Sequence, residues 1–220
     1  MASADPFSHL LDYYRRRAGE YEAIYAKPER QADLACLGRH IPSRLAGRRV
    51  LEIACGTGYW TALLSREAIS ITATDLAEEP MRIAQAKDYG GGAVRFALAD
   101  AYDLPESLGR FDAALGVFWW SHIPVNRIQA FLSSLHSRLE SGARVLFMDN
   151  TYVEGSSTPL AERDSEGDTY QLRALADGSR NRVLKNFPTE QELRERLAPH
   201  ARALEYRALQ YYWLAEYELK

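Results

Sequence analysis

Cysteine is scarce. Cys36 and Cys55 are the two thiols in 220 residues, so at most one disulfide can form. A chain of this length buries roughly 70 to 75% of its extended surface and needs no covalent staple. Free thiols in a reducing cytoplasm are the expectation. Long apolar runs are missing too: the longest, Ala113 to Trp120, is broken by Gly116 and falls far short of the ~20 residues that cross a bilayer. Asp5 and Pro6 stand where a secretory signal needs an apolar stretch. Nor is one sign of charge in excess: 27 Lys and Arg against 30 Asp and Glu leave a net charge of -3, whereas a dedicated nucleic-acid binder is strongly basic. Neither nucleic acid nor membrane is expected as a partner. No His/Cys group has zinc-ligand spacing, and His9, His40, His136 and His200 are scattered, so no metal is expected. No 20- to 50-residue period and no Gly/Ser or Pro-rich linker divides the chain, which reads as a single domain over 1–220.

What is present is an alternation of strand-like and helix-like text. Short β-branched runs occur at Arg49–Ala54, Ile69–Thr74, Val94–Leu98, Phe111–Val117 and Arg144–Met148, with helical spacing between them at Tyr59–Glu67, Pro80–Asp88 and Val125–Leu139. Near-continuous apolar strands separated by helices specify a parallel sheet covered on both faces, a doubly wound α/β domain. Residues 150 to 180 are polar and Gly-rich and read as a long loop, followed by a helix near Thr189–Leu197. Ala201–Ala208 and Gln210–Glu218 read as a closing antiparallel hairpin, in which Tyr211 to Trp213 leave edge-strand packing and a homodimer surface both open. A helical stretch, Ser8–Tyr25, precedes the first strand, with Tyr14, Ala18, Tyr21 and Tyr25 on one face; Arg15, Arg16 and Arg17 read as its solvated side.

The strongest motif is Val50-Leu51-Glu52-Ile53-Ala54-Cys55-Gly56-Thr57-Gly58, a buried strand running into a glycine turn before a helix. Without a Cβ, Gly56 and Gly58 allow a sharp turn and a close ligand approach. Thr61 stands where a dinucleotide fingerprint places its third glycine, and no lysine occurs between Lys27 and Lys87 to complete a phosphate-binding P-loop. The second strand ends on Asp75, placed to accept hydrogen bonds from ribose hydroxyls. The third leads to Asp100, where a carboxylate can meet an adenine amino group between apolar Leu76, Met81 and Ala101.

On these residues the sequence resembles the class I S-adenosylmethionine-dependent methyltransferases, small-molecule branch, from about Tyr13 to the C-terminus. Glu52 to Gly58 match the first family motif, Asp75 the ribose acid, Asp100 the adenine acid and Phe111 to Val117 the fourth-strand segment; Ala54 departs from it, since many members have glycine there. The resemblance implies a Rossmann-like, seven-stranded, mostly parallel sheet of order 3-2-1-4-5-7-6 with a C-terminal antiparallel hairpin. It implies S-adenosylmethionine as cofactor and S-adenosylhomocysteine as product. By the same resemblance, Glu52, Ala54, Cys55, Gly56 and Gly58 surround the methionine part, Asp75 holds the ribose, Asp100, Ala101 and Tyr102 meet adenine, and Val117 and Phe118 line the sulfonium side. Read from its own spacing, the N-terminal helical segment, 8–40, is either core packing or a cap over the site whose tyrosines, Tyr14, Tyr21 and Tyr25, touch the ligand.

Methyl transfer from a sulfonium needs an in-line nucleophile, so alignment and desolvation are the main service required of the protein. A hydroxyl acceptor would want a base, and His122, in Trp119-Trp120-Ser121-His122-Ile123-Pro124 just past the fourth strand, is the candidate; a structural His-x-Pro turn is the competing reading. Trp119 and Trp120 are expected as substrate walls, and Asn150, Tyr152, Tyr170 and Arg173 as contacts from the start or the body of a substrate-covering insertion, 150–187. Aromatic density points to a flat or amine-bearing small molecule methylated on nitrogen, oxygen or sulfur. The alternatives are an S-adenosylmethionine-binding protein without turnover and a methyltransferase acting on a macromolecule. Against the second stands Gly116-Val117-Phe118-Trp119, where amino-methylating nucleic-acid enzymes carry an Asn/Asp-Pro-Pro-Tyr/Phe loop.

Overall fold

The structure, a computed structural model, describes residues 6–220. It opens on α1 (Pro6–Arg17) and α2 (Gln31–Leu45), joined by tight 3-10 turns over Ala18–Ala26 and Pro28–Arg30. The expected helix over Ser8–Tyr25 therefore ends early: Gly19, poor in helices for its backbone entropy, lies two residues beyond Arg17, and the chain tightens around it.

From there, β1 (Arg49–Ile53), α3 (Tyr59–Leu64), β2 (Ser70–Asp75), α4 (Glu78–Gln85), β3 (Val94–Leu98), β4 (Phe111–Val117), α5 (Ile128–Ser137) and β5 (Leu139–Asn150) form the parallel half of the fold. β1 pairs in parallel with β2 (Val50 opposite Ile71) and with β4 (Val50 opposite Ala113). After β6 (Leu160–Arg163), β7 (Thr169–Ala174), β8 (Arg180–Leu184) and α6 (Glu190–Leu197), the chain closes with β9 (Ala201–Ala208) and β10 (Tyr212–Leu219). β10 inserts antiparallel between β5 and β9, giving the order β3-β2-β1-β4-β5-β10-β9. Since β9 and β10 are the sixth and seventh strands of this sheet, the order is the expected 3-2-1-4-5-7-6.

Both faces are covered, which explains the near-continuous apolar strands. On one, Leu37, Ile41, Leu45 and Leu64 pack on Val50, Ile71, Leu146 and Leu214. On the other, Phe131, Leu132, Leu135, Leu193 and Leu197 pack on Leu51, Ile53, Phe147 and Trp213. Tyr212 and Trp213 are each 1% exposed, so the Tyr211–Trp213 patch packs within the chain.

The polar stretch read as a loop is structured. β6, β7 and β8 form a separate antiparallel sheet, with the turn of the second hairpin closed by Asp177 and Gly178 (φ 80°). Asp-Gly is a strong hairpin signal. α1 packs on this sheet where Leu10 and Tyr13 meet Leu175 and Val183, and β6 is exposed along its whole length. Arg16 ties α1 to the same hairpin through Asp177 (2.5 Å) and Ser179 (2.7 Å). Among the described residues no helix is long and apolar enough to cross a membrane.

Candidate active site

The C-terminal ends of the parallel strands converge on a cleft of about 800 Å³, its mouth included. Its floor is the turn after β1. Gly56 has φ +55°, and Gly58 (φ +76°) precedes α3, where a Cβ would lie 2.7 Å from the Tyr89 hydroxyl and 2.8 Å from Ala84 Cβ. Ala54 also has a positive φ, +53°, so the residue that replaces the family's glycine adopts the conformation glycine favours. The turn is clamped from β2: Asp75 accepts the backbone N–H of Gly56 (2.8 Å) on one carboxylate oxygen and that of Ala77 (2.9 Å) on the other. A carboxylate has about four acceptor sites, so capacity for ligand hydroxyls remains. Burial raises the Asp75 carboxyl while these N–H groups pull it down. Beneath the turn, Glu52 accepts a hydrogen bond from the Thr61 hydroxyl (2.7 Å); burial, with a smaller push from Asp75, lifts it to about 8.

Of the residues anticipated around a cofactor, Tyr14, Ala54, Gly56, Asp75, Leu76, Ala101, Val117 and Phe118 line this cleft, and Trp119 and His122 join them. The others do not reach its surface. Tyr25 is buried, stacked on Tyr59 with centroids 3.7 Å apart. Glu52 and Gly58 lie under the turn, Cys55 is buried with Sγ toward the Gly56 carbonyl, and Met81 packs inside α4. Asp100 accepts the Tyr102 N–H (2.9 Å), and the Tyr102 ring lies under the Arg127 guanidinium. Thr74, Ala77 and Pro80 line the cleft without having been anticipated for the cofactor, and Tyr21 joins Tyr14 there.

A second cleft, about 1220 Å³ with its mouth, opens beyond a wall shared with the first: Tyr14, Tyr21, Phe118 and His122 border both. Phe118 has φ +55°, an outlier for an aromatic residue, and such strain concentrates at functional sites. The imidazole of His122 is fully engaged. Nδ1 lies 2.7 Å from the Leu184 carbonyl and Nε2 2.7 Å from the Tyr14 hydroxyl. A carbonyl only accepts, so Nδ1 carries the hydrogen and Nε2 accepts from Tyr14. Burial, then Lys185 and Arg173, hold His122 well below the usual histidine range and hence neutral.

Asn150 and Arg173 line the second cleft, whereas the other four residues expected beside the acceptor do not, Trp119 lining the first cleft instead. Trp120 is 2% exposed, packed on Phe147 and Trp213, because the chain turns at the end of β4 and drives it into the core. Tyr170 faces a neighbouring smaller cleft, donating to Asp164 (2.9 Å) with Arg182 over its ring. Tyr152 is exposed against the edge of Phe187 and lines neither main cleft. Arg17 leaves the solvated row assigned to it and faces the second cleft, joined by Lys27, Arg30 and Lys185, none of them anticipated. For Arg17 a signal existed: it falls at helical spacing between Tyr14 and Tyr21. Lys185 is buried between Asp149 (2.9 Å) and Ser121 (2.5 Å); burial lowers it to about 8, while Asp149 is held below the usual carboxylate range by Lys185 despite burial.

A methyltransferase-domain model matches residues 50–142, the segment carrying the glycine turn, Asp75 and the fourth strand. Two solved complexes of DhpI, one with SAH and one with SAM and HEP, superpose at TM-scores of 0.79 and 0.80, with 30% and 32% identity over 98% of this chain and 97% and 99% of theirs. The chain belongs to the class I S-adenosylmethionine-dependent methyltransferases. Among curated relatives of this family, a demethylmenaquinone methyltransferase of Clavibacter sepedonicus is 28% identical over 69% of this chain. A ubiquinone biosynthesis O-methyltransferase of Xanthomonas axonopodis pv. citri (strain 306) is 33% identical over 70%. The chain spans 58% and 63% of the lengths of these two methyltransferases.

Proposed function

We propose that the chain transfers a methyl group from S-adenosylmethionine, held in the first cleft, to a nitrogen, oxygen or sulfur of a small molecule held in the second. The observation that carries this reading is the shared wall. Two clefts at the strand ends of one sheet meet across Tyr14, Tyr21, Phe118 and His122, so two ligands can be brought end to end there.

The first cleft suits the cofactor. Gly56 presents backbone without a Cβ, Asp75 offers free acceptor sites, and Leu76, Ala101 and Trp119 give apolar surface for a flat base. When bound, the cofactor supplies an electrophilic sulfonium methyl and leaves as S-adenosylhomocysteine. The chain's own contribution is alignment and exclusion of water by Tyr14, Tyr21 and Phe118, and orientation of this kind supplies up to about 10⁵ to 10⁸ M of effective concentration. In this reading α1 with its 3-10 turns caps both ligands, and segment 150–187 covers the acceptor.

His122 acts through Tyr14. With both nitrogens engaged it offers no free lone pair to a substrate, and it holds the Tyr14 hydroxyl at the boundary of the clefts. A proton leaving an acceptor would pass to Tyr14 Oη as the Tyr14 proton moves to His122 Nε2. The depressed basicity of His122 makes that route weak, which favours acceptors that need little or no base.

Trp119 reports on the first cleft. S-adenosylhomocysteine should change the intrinsic fluorescence, and Trp119→Phe should remove most of that change; a full signal in the variant would place the ligand elsewhere. Incubation with methyl-labelled cofactor and a cell extract should put label in the small-molecule fraction, and label confined to protein or nucleic acid would contradict the proposal.

A further inference from the structure

We infer that the acceptor carries an oxyanion head group, a carboxylate or a phosphoryl group, held in the second cleft by Arg173, Lys27 and Arg30. This rests on that cleft being the acceptor site, and it names the chemistry the acceptor must have.

The second cleft is strongly cationic. Arg17, Lys27, Arg30, Arg173 and Lys185 border it, against one acidic residue, the exposed Glu20. Lys185 is neutralised by Asp149. Among the described residues the other four have no carboxylate within 4.0 Å, although the chain pairs cations elsewhere: Arg16 with Asp177, Arg44 and Arg144 with Glu216, Arg182 with Glu162. The four also crowd one another. Burial lowers Lys27 first, and Arg30, Arg173 and Arg17 push it the same way, with Glu29 opposing; Arg173 and Arg30 likewise bear on Lys185. Unpaired like charges gathered in a half-buried wall are costly, and an anionic ligand is the counter-charge that relieves them.

The donors are also aimed. Arg173 Nε and Nη2 are held by Gln171 Oε1 (3.0 and 2.7 Å), which fixes the guanidinium plane and leaves Nη1 toward the Tyr14 hydroxyl (3.5 Å) at the boundary with the first cleft. Arg30 is braced by Asn150 (2.8 Å) and Ser156 (3.1 Å), and Lys27 by the Ser156 carbonyl (2.9 Å). The Nη1 side of Arg173 and the Lys27 ammonium, both pre-positioned, keep N–H donors that carboxylate or phosphoryl oxygens can accept. An ammonium-bearing acceptor, the class suggested by aromatic density alone, would meet repulsion from the same wall.

The test is calorimetric titration of the full chain, with and without saturating S-adenosylhomocysteine, using inorganic phosphate, propionate and n-propylamine as probes. At least one anion should bind and the amine should not; phosphate alone identifies a phosphoryl head group, propionate alone a carboxylate. Arg173→Gln and Lys27→Gln should each weaken the anion about tenfold, about 1.4 kcal/mol, with S-adenosylhomocysteine affinity unchanged as proof of folding. Binding of S-adenosylhomocysteine without either anion overturns the inference, as does anion affinity indifferent to both substitutions. An anion held through Arg173 by a chain that fails to bind S-adenosylhomocysteine would uphold the cationic site and sink the methyltransferase reading instead.

Discussion

Glu52 is a carboxylic acid kept neutral by its surroundings: 3% exposed, hydrogen-bonded to Thr61, and lifted to about 8. A carboxyl whose folded pKa lies above its unfolded value of about 4.3 stabilises the fold fully at low pH and loses that contribution as pH rises toward 8. The ligand-free protein should therefore shed a few kcal/mol of stability through Glu52 between about pH 4.5 and 8. Glu52→Gln, neutral at every pH, should gain on the parent progressively over that window in denaturant titrations; a constant difference across it would contradict the assignment. At this scale the sequence was legible wherever a residue's position follows from its own strand. Glu52, Gly56 and Asp75 belong to strand ends whose place in a parallel sheet is determined locally. Lys27, Arg30 and Lys185 are cleft residues only because segments far apart in the chain meet, as when Lys27 reaches Ser156, and no one-dimensional pattern records that.

At the scale of elements, the parallel strands and their helices could be read from apolar runs buried on both sides. β6 to β8 could not: their polar faces and short lengths give no alternation strong enough to separate them from a loop. The Asp177-Gly178 turn was the signal that went unused. Trp120 misled for a related reason: a residue just past a strand end reads as a rim position until the following turn carries it inward. The cap and this small sheet form one mechanical unit, since α1 packs on β8 and Arg16 bridges to Asp177 and Ser179. Arg16→Ala should speed amide hydrogen exchange in α1 and in the β7–β8 hairpin while leaving the exchange of β1 and β4 unchanged, because opening of the cap is local. Uniform acceleration across the sheet would show that the contact supports the whole fold.

For the whole molecule, the sheet order was legible because the family motif, the alternation of elements and the closing hairpin all specify one topology. That topology places the ends of β1, β2 and β4 side by side and makes the first cleft. The second cleft belongs to the additions, α1 with its 3-10 turns and the segment around β7 and β8, and it is there that the proposed acceptor site lies. A ligand that binds the folded state alone stabilises it by about 2.7 kcal/mol at a hundredfold excess over its dissociation constant, so occupancy should be evident in melting as well as in heat. The most direct measurement is calorimetric titration of S-adenosylhomocysteine into the parent chain and into Asp75→Ala, with NADH as the comparison ligand. The account predicts one-to-one binding of S-adenosylhomocysteine, weakened at least about tenfold, about 1.4 kcal/mol, by the substitution, and no heat with NADH. Binding of NADH in its place, or an Asp75→Ala affinity within about threefold of the parent, would contradict it.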